Sequence, residues 1–166
     1  SSTLYCNHIS AKENKNIGTI RLFSVYGDYE EKGRLIPTLF INLLNGENVK
    51  LGNPAAVRDF VYIDDVVEAY ISILKNPEKI KGKIFNISSG NQISIGEISE
   101  KVKSILNSSC LLDFGNLSGR TFDSTTWLGD SSLFRETFNW TPKKIDEGLK
   151  KSAEWFSKNL NLYKEV

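Results

Sequence analysis

Val57-Arg58-Asp59-Phe60-Val61-Tyr62-Ile63-Asp64-Asp65-Val66 is the stretch that organises this 166-residue chain. Arg58 to Ile63 reads as a strand, an unbroken apolar run from Phe60 to Ile63 behind a charged pair. Then the period changes. Val66, Val67, Ala69, Tyr70, Ile73 and Leu74 recur at helical spacing. Asp64 or Asp65 stands where an N-cap belongs, and Glu68 completes a capping box from Asp65. Pro77 stops the helix. A short strand feeding straight into a helix is the repeating unit of an α/β fold.

The same alternation continues on both sides. Upstream, residues 3–14 read as the end of a helix, with Leu4, Tyr5, His8, Ile9 and Lys12 on one side. Ile17 to Val25 reads as a strand turned by Tyr26-Gly27-Asp28. Ile36, Leu39, Phe40, Leu43 and Leu44 form a helical stripe, with Pro37 in its first turn and Gly46 placed to end it in a left-handed conformation. Val49 to Leu51 is a short strand. Downstream, Lys83 to Ser88 is a strand, and Ser94 with Glu97 forms a capping box before Ile95, Ile98, Val102, Ile105 and Leu106. Cys110 to Phe114 reads as a strand and residues 115–127 as a loop. Asp130 caps a short helix through Phe138. Ile145, Leu149, Ala153 and Phe156 mark a last amphipathic helix. The fold class is α/β.

Composition closes off several functions. Lys and Arg number 21 and Asp and Glu 20, so the net charge is +1 and no field favours nucleic acid or a membrane surface. The hydrophobic share of 40% is enough for a core without staples. Cys6 and Cys110 form no CxxC pair, so neither a disulfide framework nor a zinc ribbon is expected, and a cytoplasmic location fits. His8 is the single histidine, which excludes sites needing two; no metal centre is expected. As the base of a triad, His8 competes with a plain role on a polar helix. No apolar run is long enough for a membrane span or a secretory signal. The sequons at Asn86, Asn107, Asn116 and Asn139 are read as chance. The chain contains no methionine, and it is read as a piece of something longer.

Two absences bear on catalysis. No G-x-G occurs, so neither a dinucleotide fingerprint nor a P-loop is present. No tyrosine is followed four residues later by lysine. What remains is a set of arginines at strand ends and in loops: Arg34, Arg58 and Arg120. Arginine suits phosphate because its planar fork stays charged and donates bidentate hydrogen bonds. Arg58 and Asp59 can equally be ordinary surface charges, or Arg58 can pair with a carboxylate. Arg21, inside a strand, reads as a structural ion-pair partner or an edge charge. Tyr26, Phe85, Trp140 and Trp155 are expected to pack in the core.

Several strings, in order, resemble one family. Thr19-Ile20-Arg21-Leu22-Phe23-Ser24-Val25-Tyr26-Gly27 resembles the R-x-x-N-x-Y-G-P strand and turn of the extended short-chain dehydrogenases/reductases, the nucleotide-sugar epimerases and dehydratases. Val57 to Val66 is similar to their R-D-F-V-Y-V-D-D-V, and Gly82 to Gly90 to G-x-x-F-N-I-G-x-G. Ser94 and Glu97 match the S-x-x-E helix start. Asp130 through Asn139-Trp140-Thr141-Pro142, with Glu147-Gly148-Leu149 and Trp155, resembles the closing D-x-S-k…L-G-W-x-P…eeGL…W.

The resemblance implies the C-terminal part of a Rossmann-type parallel sheet plus a small α/β substrate-binding lobe. Residues 1–48 would be a remnant of the dinucleotide-binding domain, and 49–166 mainly the nucleotide-sugar lobe, with some segments returning to the main sheet. The Y-x-x-x-K base helix and the glycine-rich loop would precede Ser1, so no catalytic residue is expected in this chain. NAD or NADP would serve the intact enzyme, and its binding by this chain alone is not expected. Arg58 would bind the diphosphate or ribose of a nucleoside-diphosphate sugar, and Arg120 would be a second clamp. Arg34 would line the nucleotide pocket, and Ser24 stands where many members carry Asn beside the sugar. Ser24 for Asn and Asp28 for Pro depart from the pattern. Some branches, including deoxysugar-forming enzymes on CDP-sugars, have F-S-x-Y-G, so base and sugar stay open. Two functional readings result: the substrate-binding portion of an epimerase or dehydratase, inactive alone, or a binding or assembly module completed by a second chain. An uncovered sheet edge at Ile17–Val25 leads to the expectation of a homodimer or larger species.

Overall fold

The computed structural model describes residues 2–115 and 126–163. The chain divides into two compact units. The first takes the chain up to Val25, then Asp59–Asn91 and Leu128–Lys143; the second takes Tyr26–Arg58 and the described parts of the chain from Gln92 to Trp127 and from Lys144 on. The strands β2 (Ser24–Tyr26) and β4 (Val57–Tyr62) run through the points of division. A further strand, β6, is Gln92–Ser94.

The first unit contains α1 (Ser2–Lys12), β1 (Thr19–Leu22), α3 (Ile63–Lys75), β5 (Ile84–Ile87) and α5 (Ser132–Phe138). β1 and β5 pair in parallel, Thr19 opposite Ile84 and Leu22 opposite Ile87. Parallel strands need a long crossover, which the intervening chain supplies. The core joins Val61, Val66, Ala69, Ile73, Phe85, Ile87, Phe134 and Trp140. Phe134 meets Phe85 edge-on at 5.4 Å and Trp140 edge-on at 5.4 Å, the geometry that ring quadrupoles favour. The indole N–H of Trp140 donates to the Asp65 carbonyl at 2.9 Å.

The second unit contains α2 (Leu35–Leu44), β3 (Val49–Leu51), α4 (Ile95–Ile105), β7 (Leu112–Phe114) and α6 (Ile145–Asn159). β3 and β7 are again parallel, Val49 opposite Leu112. Phe40 and Phe156 stack at 5.0 Å, and Ile36, Leu39, Ile98, Val102 and Leu149 are buried. The Ser94–Glu97 capping box is formed in both directions, and Gly46 follows α2 with φ of 75°.

Five local expectations are refined. The expected strand from Ile17 to Val25 is two strands, because Val25 N donates to the Phe23 carbonyl at 2.8 Å and kinks the chain between them. Asp65 is not a cap. α3 starts at Ile63 with Tyr62 at the cap position, and Asp65 is fully buried inside the helix. Its oxygens accept from Lys143 Nζ at 2.6 Å and Lys143 N at 2.8 Å. The buried face of α3 is also narrower than expected: Val66, Ala69 and Ile73 are buried, whereas Val67, Tyr70 and Leu74 are exposed. On α1 only Ser10 is buried, and Leu4 and Tyr5 face solvent. Asp130, expected to cap α5, lies one residue ahead of the cap position, which is Ser131, yet its Oδ1 accepts from Ser132 N at 2.9 Å.

Candidate functional site

Arg58 is the second residue of β4 and is half-buried in the second unit. Its Nη1 donates to the Val57 carbonyl at 2.7 Å. Its guanidinium carbon lies over the Trp127 indole, 5.3 Å from the ring centroid, within the range of cation–π attraction. Trp127 is held in turn by its backbone N–H, which donates to Gln92 Oε1 at 3.2 Å. The result is an arginine supported by the ring of a tryptophan that is itself 46% exposed.

In the first unit the next residue, Asp59, does something different. It is fully buried and accepts four hydrogen bonds: from Ser89 N at 2.8 Å, Ser89 Oγ at 2.7 Å, Gly90 N at 3.1 Å and Gly129 N at 3.0 Å. Three backbone N–H groups and a hydroxyl replace the water that the buried carboxyl would otherwise bind. Arg135 ties down the same loop, donating to the Ser89 carbonyl at 2.6 Å and to Ser131 Oγ at 3.0 Å. Gly129 approaches so closely that a Cβ there would stand 2.5 Å from the Cβ of Ser88. Asp59 is therefore a structural anchor, not the surface charge that its neighbour Arg58 suggests.

Arg34 precedes α2, exposed, and its Nε lies 3.6 Å from Glu30 Oε1. Glu30 is poorly served by this pair. Its Oε2 is buried and has no hydrogen-bond partner among the described residues. Burial raises its carboxyl from the ordinary 4.5 to about 7, against the opposing pull of Arg34. Tyr163 Oη donates to the Glu30 carbonyl at 2.8 Å, and Tyr29 meets Trp155 edge-on at 5.0 Å. These residues line a cleft of about 390 Å³. Arg34 thus lies against Glu30, whereas Arg58 lies over Trp127. Ser24 lies half-buried on β2 in the first unit. Arg120 lies outside the described residues.

A dinucleotide pyrophosphate is held at a helix N-terminus reached through a glycine-rich turn. Two helices here follow a strand directly. α3 opens on Asp64 and Asp65, and α4 opens on Glu97, which already occupies its capping box. Neither of these turns is glycine-rich, so the strand-to-helix turns among the described residues lack the cradle that a dinucleotide pyrophosphate takes. No group of three or more His, Cys, Asp or Glu able to hold a metal occurs among the described residues. No helix among them is long and apolar enough to cross a membrane.

Sequence reasoning placed Arg58 at the mouth of a strand but missed Trp127, which fell inside a stretch read as loop. A tryptophan among polar loop residues was the available signal. It also missed the anchoring role of Asp59, whose position within the strand, directly before the apolar run from Phe60, was the corresponding one.

Comparison with known proteins connects this geometry to a family. Residues 1–88 match the model of the NAD dependent epimerase/dehydratase family. CDP-abequose synthase of Salmonella muenchen is 30% identical over 133 residues, 80% of this chain and 45% of that protein. The Bordetella bronchiseptica enzyme WbmF, in a structure with NAD+ and UDP, superimposes with a TM-score of 0.81 at 26% identity, covering 96% of this chain and 51% of that one. The epimerase Mth375 of Methanothermobacter thermautotrophicus shares the fold, with a TM-score of 0.84 at 21% identity over 96% of this chain and 48% of that one. The chain spans about half the length of the curated relatives it matches. The parallel α/β pairing, the Arg58 strand running into α3 and the family match over residues 1–88 agree, and the chain belongs to the NAD dependent epimerase/dehydratase family.

Proposed function

We propose that this chain is the nucleotide-sugar recognition portion of an NAD(P)-dependent epimerase or dehydratase, with Arg58 as its main contact to the diphosphate. The observation that carries the reading is the half-buried Arg58 guanidinium supported on Trp127 at the start of β4. A supported guanidinium presents a charged, planar donor set of the kind that phosphate oxygens take bidentately. The names of the relatives point the same way, since they act on CDP- and UDP-sugars. Arg120 is the second clamp in this reading, Arg34 lines the nucleotide pocket and Ser24 stands by the sugar. Residues 1–48 then belong with the dinucleotide-binding domain and 49–166 mainly with the substrate lobe. The chain alone turns over no sugar, because no tyrosine–lysine base pair lies within it and its described strand-to-helix turns are not glycine-rich.

Calorimetry with UDP, dTDP, CDP and GDP tests this. Arg58→Ala lowers the affinity for the preferred nucleotide by about 1.5–3 kcal/mol, the worth of a charge-assisted contact. Equal affinities for the wild-type and Arg58→Ala chains overturn the assignment. The reading also includes association through the edge of β1, where Leu22 is exposed. A monodisperse monomer in light scattering removes that part.

A further inference from the structure

The cation–π contact gives Trp127 a role of its own, and this inference rests on the reading of Arg58 as a phosphate contact. A guanidinium carries its five N–H donors in its own plane. A ring beneath the central carbon engages a face of that plane, so it restrains the group without consuming donors. Free arginine side chains carry large rotamer entropy, which an unsupported residue would lose on gripping a phosphate. In this structure the support is already in place. Arg58 sits 5.3 Å above the Trp127 ring, and Trp127 is tied to Gln92 through its own backbone. All three residues belong to the second unit.

We propose that Trp127 is a positioning residue for diphosphate recognition, holding the Arg58 guanidinium ready for a phosphate through its indole face. It acts through Arg58 and does not itself take up the nucleobase. The proposal therefore predicts coupling, not simply loss. In titrations of the 166-residue chain with UDP, dTDP, CDP and GDP, Trp127→Leu weakens binding of the preferred nucleotide by about three- to ten-fold, the scale of a partly desolvated cation–π contact. Trp127→Phe, which keeps an aromatic face, recovers part of that loss. In an Arg58→Ala background, Trp127→Leu causes no further loss, because the group it positions is gone.

The outcomes separate. If Arg58→Ala weakens binding and Trp127→Leu does not, Trp127 is no positioning residue while the Arg58 reading stands. If Trp127→Leu costs the same with or without Arg58, the indole contacts the ligand or merely packs, and the proposal falls. If Arg58→Ala leaves binding unchanged, or the wild-type chain binds none of the four nucleotides, the Arg58 reading falls and takes the proposal with it. A second measurement guards against misfolding. The Arg58 side-chain protons carry an upfield ring-current shift in the NMR spectrum that Trp127→Leu abolishes and Trp127→Phe retains. Absence of that shift in the wild-type chain also overturns the proposal.

Discussion

Asp59 in one unit and Glu30 in the other are both carboxylates withdrawn from solvent, and they differ in how many donors are aimed at them. Asp59 is completely buried, yet three backbone N–H groups and a hydroxyl converge on it. Glu30 keeps 15% of its side chain exposed, with the Arg34 guanidinium 3.6 Å away, a weaker contribution from the Gly27 backbone, and Oε2 without a hydrogen-bond partner among the described residues. Burial alone does not decide the role of an acid. Donors that replace water make a buried carboxyl an anchor, whereas at Glu30 burial outweighs its donors and favours the protonated form.

The comparison can be broken most directly at Asp59. Asp59→Ala leaves Ser89 N, Gly90 N and Gly129 N without their acceptor, and it destabilises the chain by about 3–5 kcal/mol. Urea denaturation reads this, and a cost under about 1 kcal/mol would mean that water replaces the carboxylate freely. Asp59→Asn keeps one acceptor oxygen and costs less than Asp59→Ala.

Glu30 gives the opposite sign. Its folded pKa is raised to about 7, so between pH 4.5 and 7 the native state holds a proton that the unfolded chain has released. Stability therefore falls as pH rises through that window and levels off above it. The total is at most about 3 kcal/mol from the shift. Glu30→Gln removes this slope and raises the melting temperature at pH 8. A wild-type stability profile flat from pH 4.5 to 7 would show that Glu30 is solvated after all.

Gly129→Ala sharpens the account of Asp59 without touching the acid. The new methyl must displace Ser88 and so disturb the N–H aimed at Asp59, costing about 2 kcal/mol. Thermal melts at neutral pH measure it. The smallest effect belongs to an acid that is not buried. Glu97 accepts from Ser94 N and Ser94 Oγ, which lower its pKa, and Ser94→Ala costs about 1 kcal/mol by removing the cap of α4. A two-state melt unchanged by Ser94→Ala would remove α4 capping from the list of stabilising features.

How much was legible depends on how far apart the interacting groups lie in the chain. The Ser94–Glu97 box, Pro37 in the first turn of α2 and Gly46 after its end were readable, because each involves neighbours within one helical turn. Asp65 was misread because it lies where a cap belongs by local rules, while its actual partner, Lys143, is 78 residues away. The face of α3 was misread for a related reason. Periodicity marks Val67, Tyr70 and Leu74 as compatible with a core, but only packing decides which apolar residues find one. Arg58 was legible at a strand mouth, and its partner Trp127, 69 positions on, was not.

The sequence by itself determined the α/β alternation, the capping of α4 and the family, since periodicity, a local capping box and ordered motifs are written in short spans of chain. Tertiary structure alone decided which carboxyls are anchors and where the arginines are supported. It surrounded Asp59 with donors from two distant loops, gave Glu30 fewer and set Arg58 on an indole face. Solvation of a charge depends on whatever long-range folding brings within about 3 Å of it, and no local pattern encodes that.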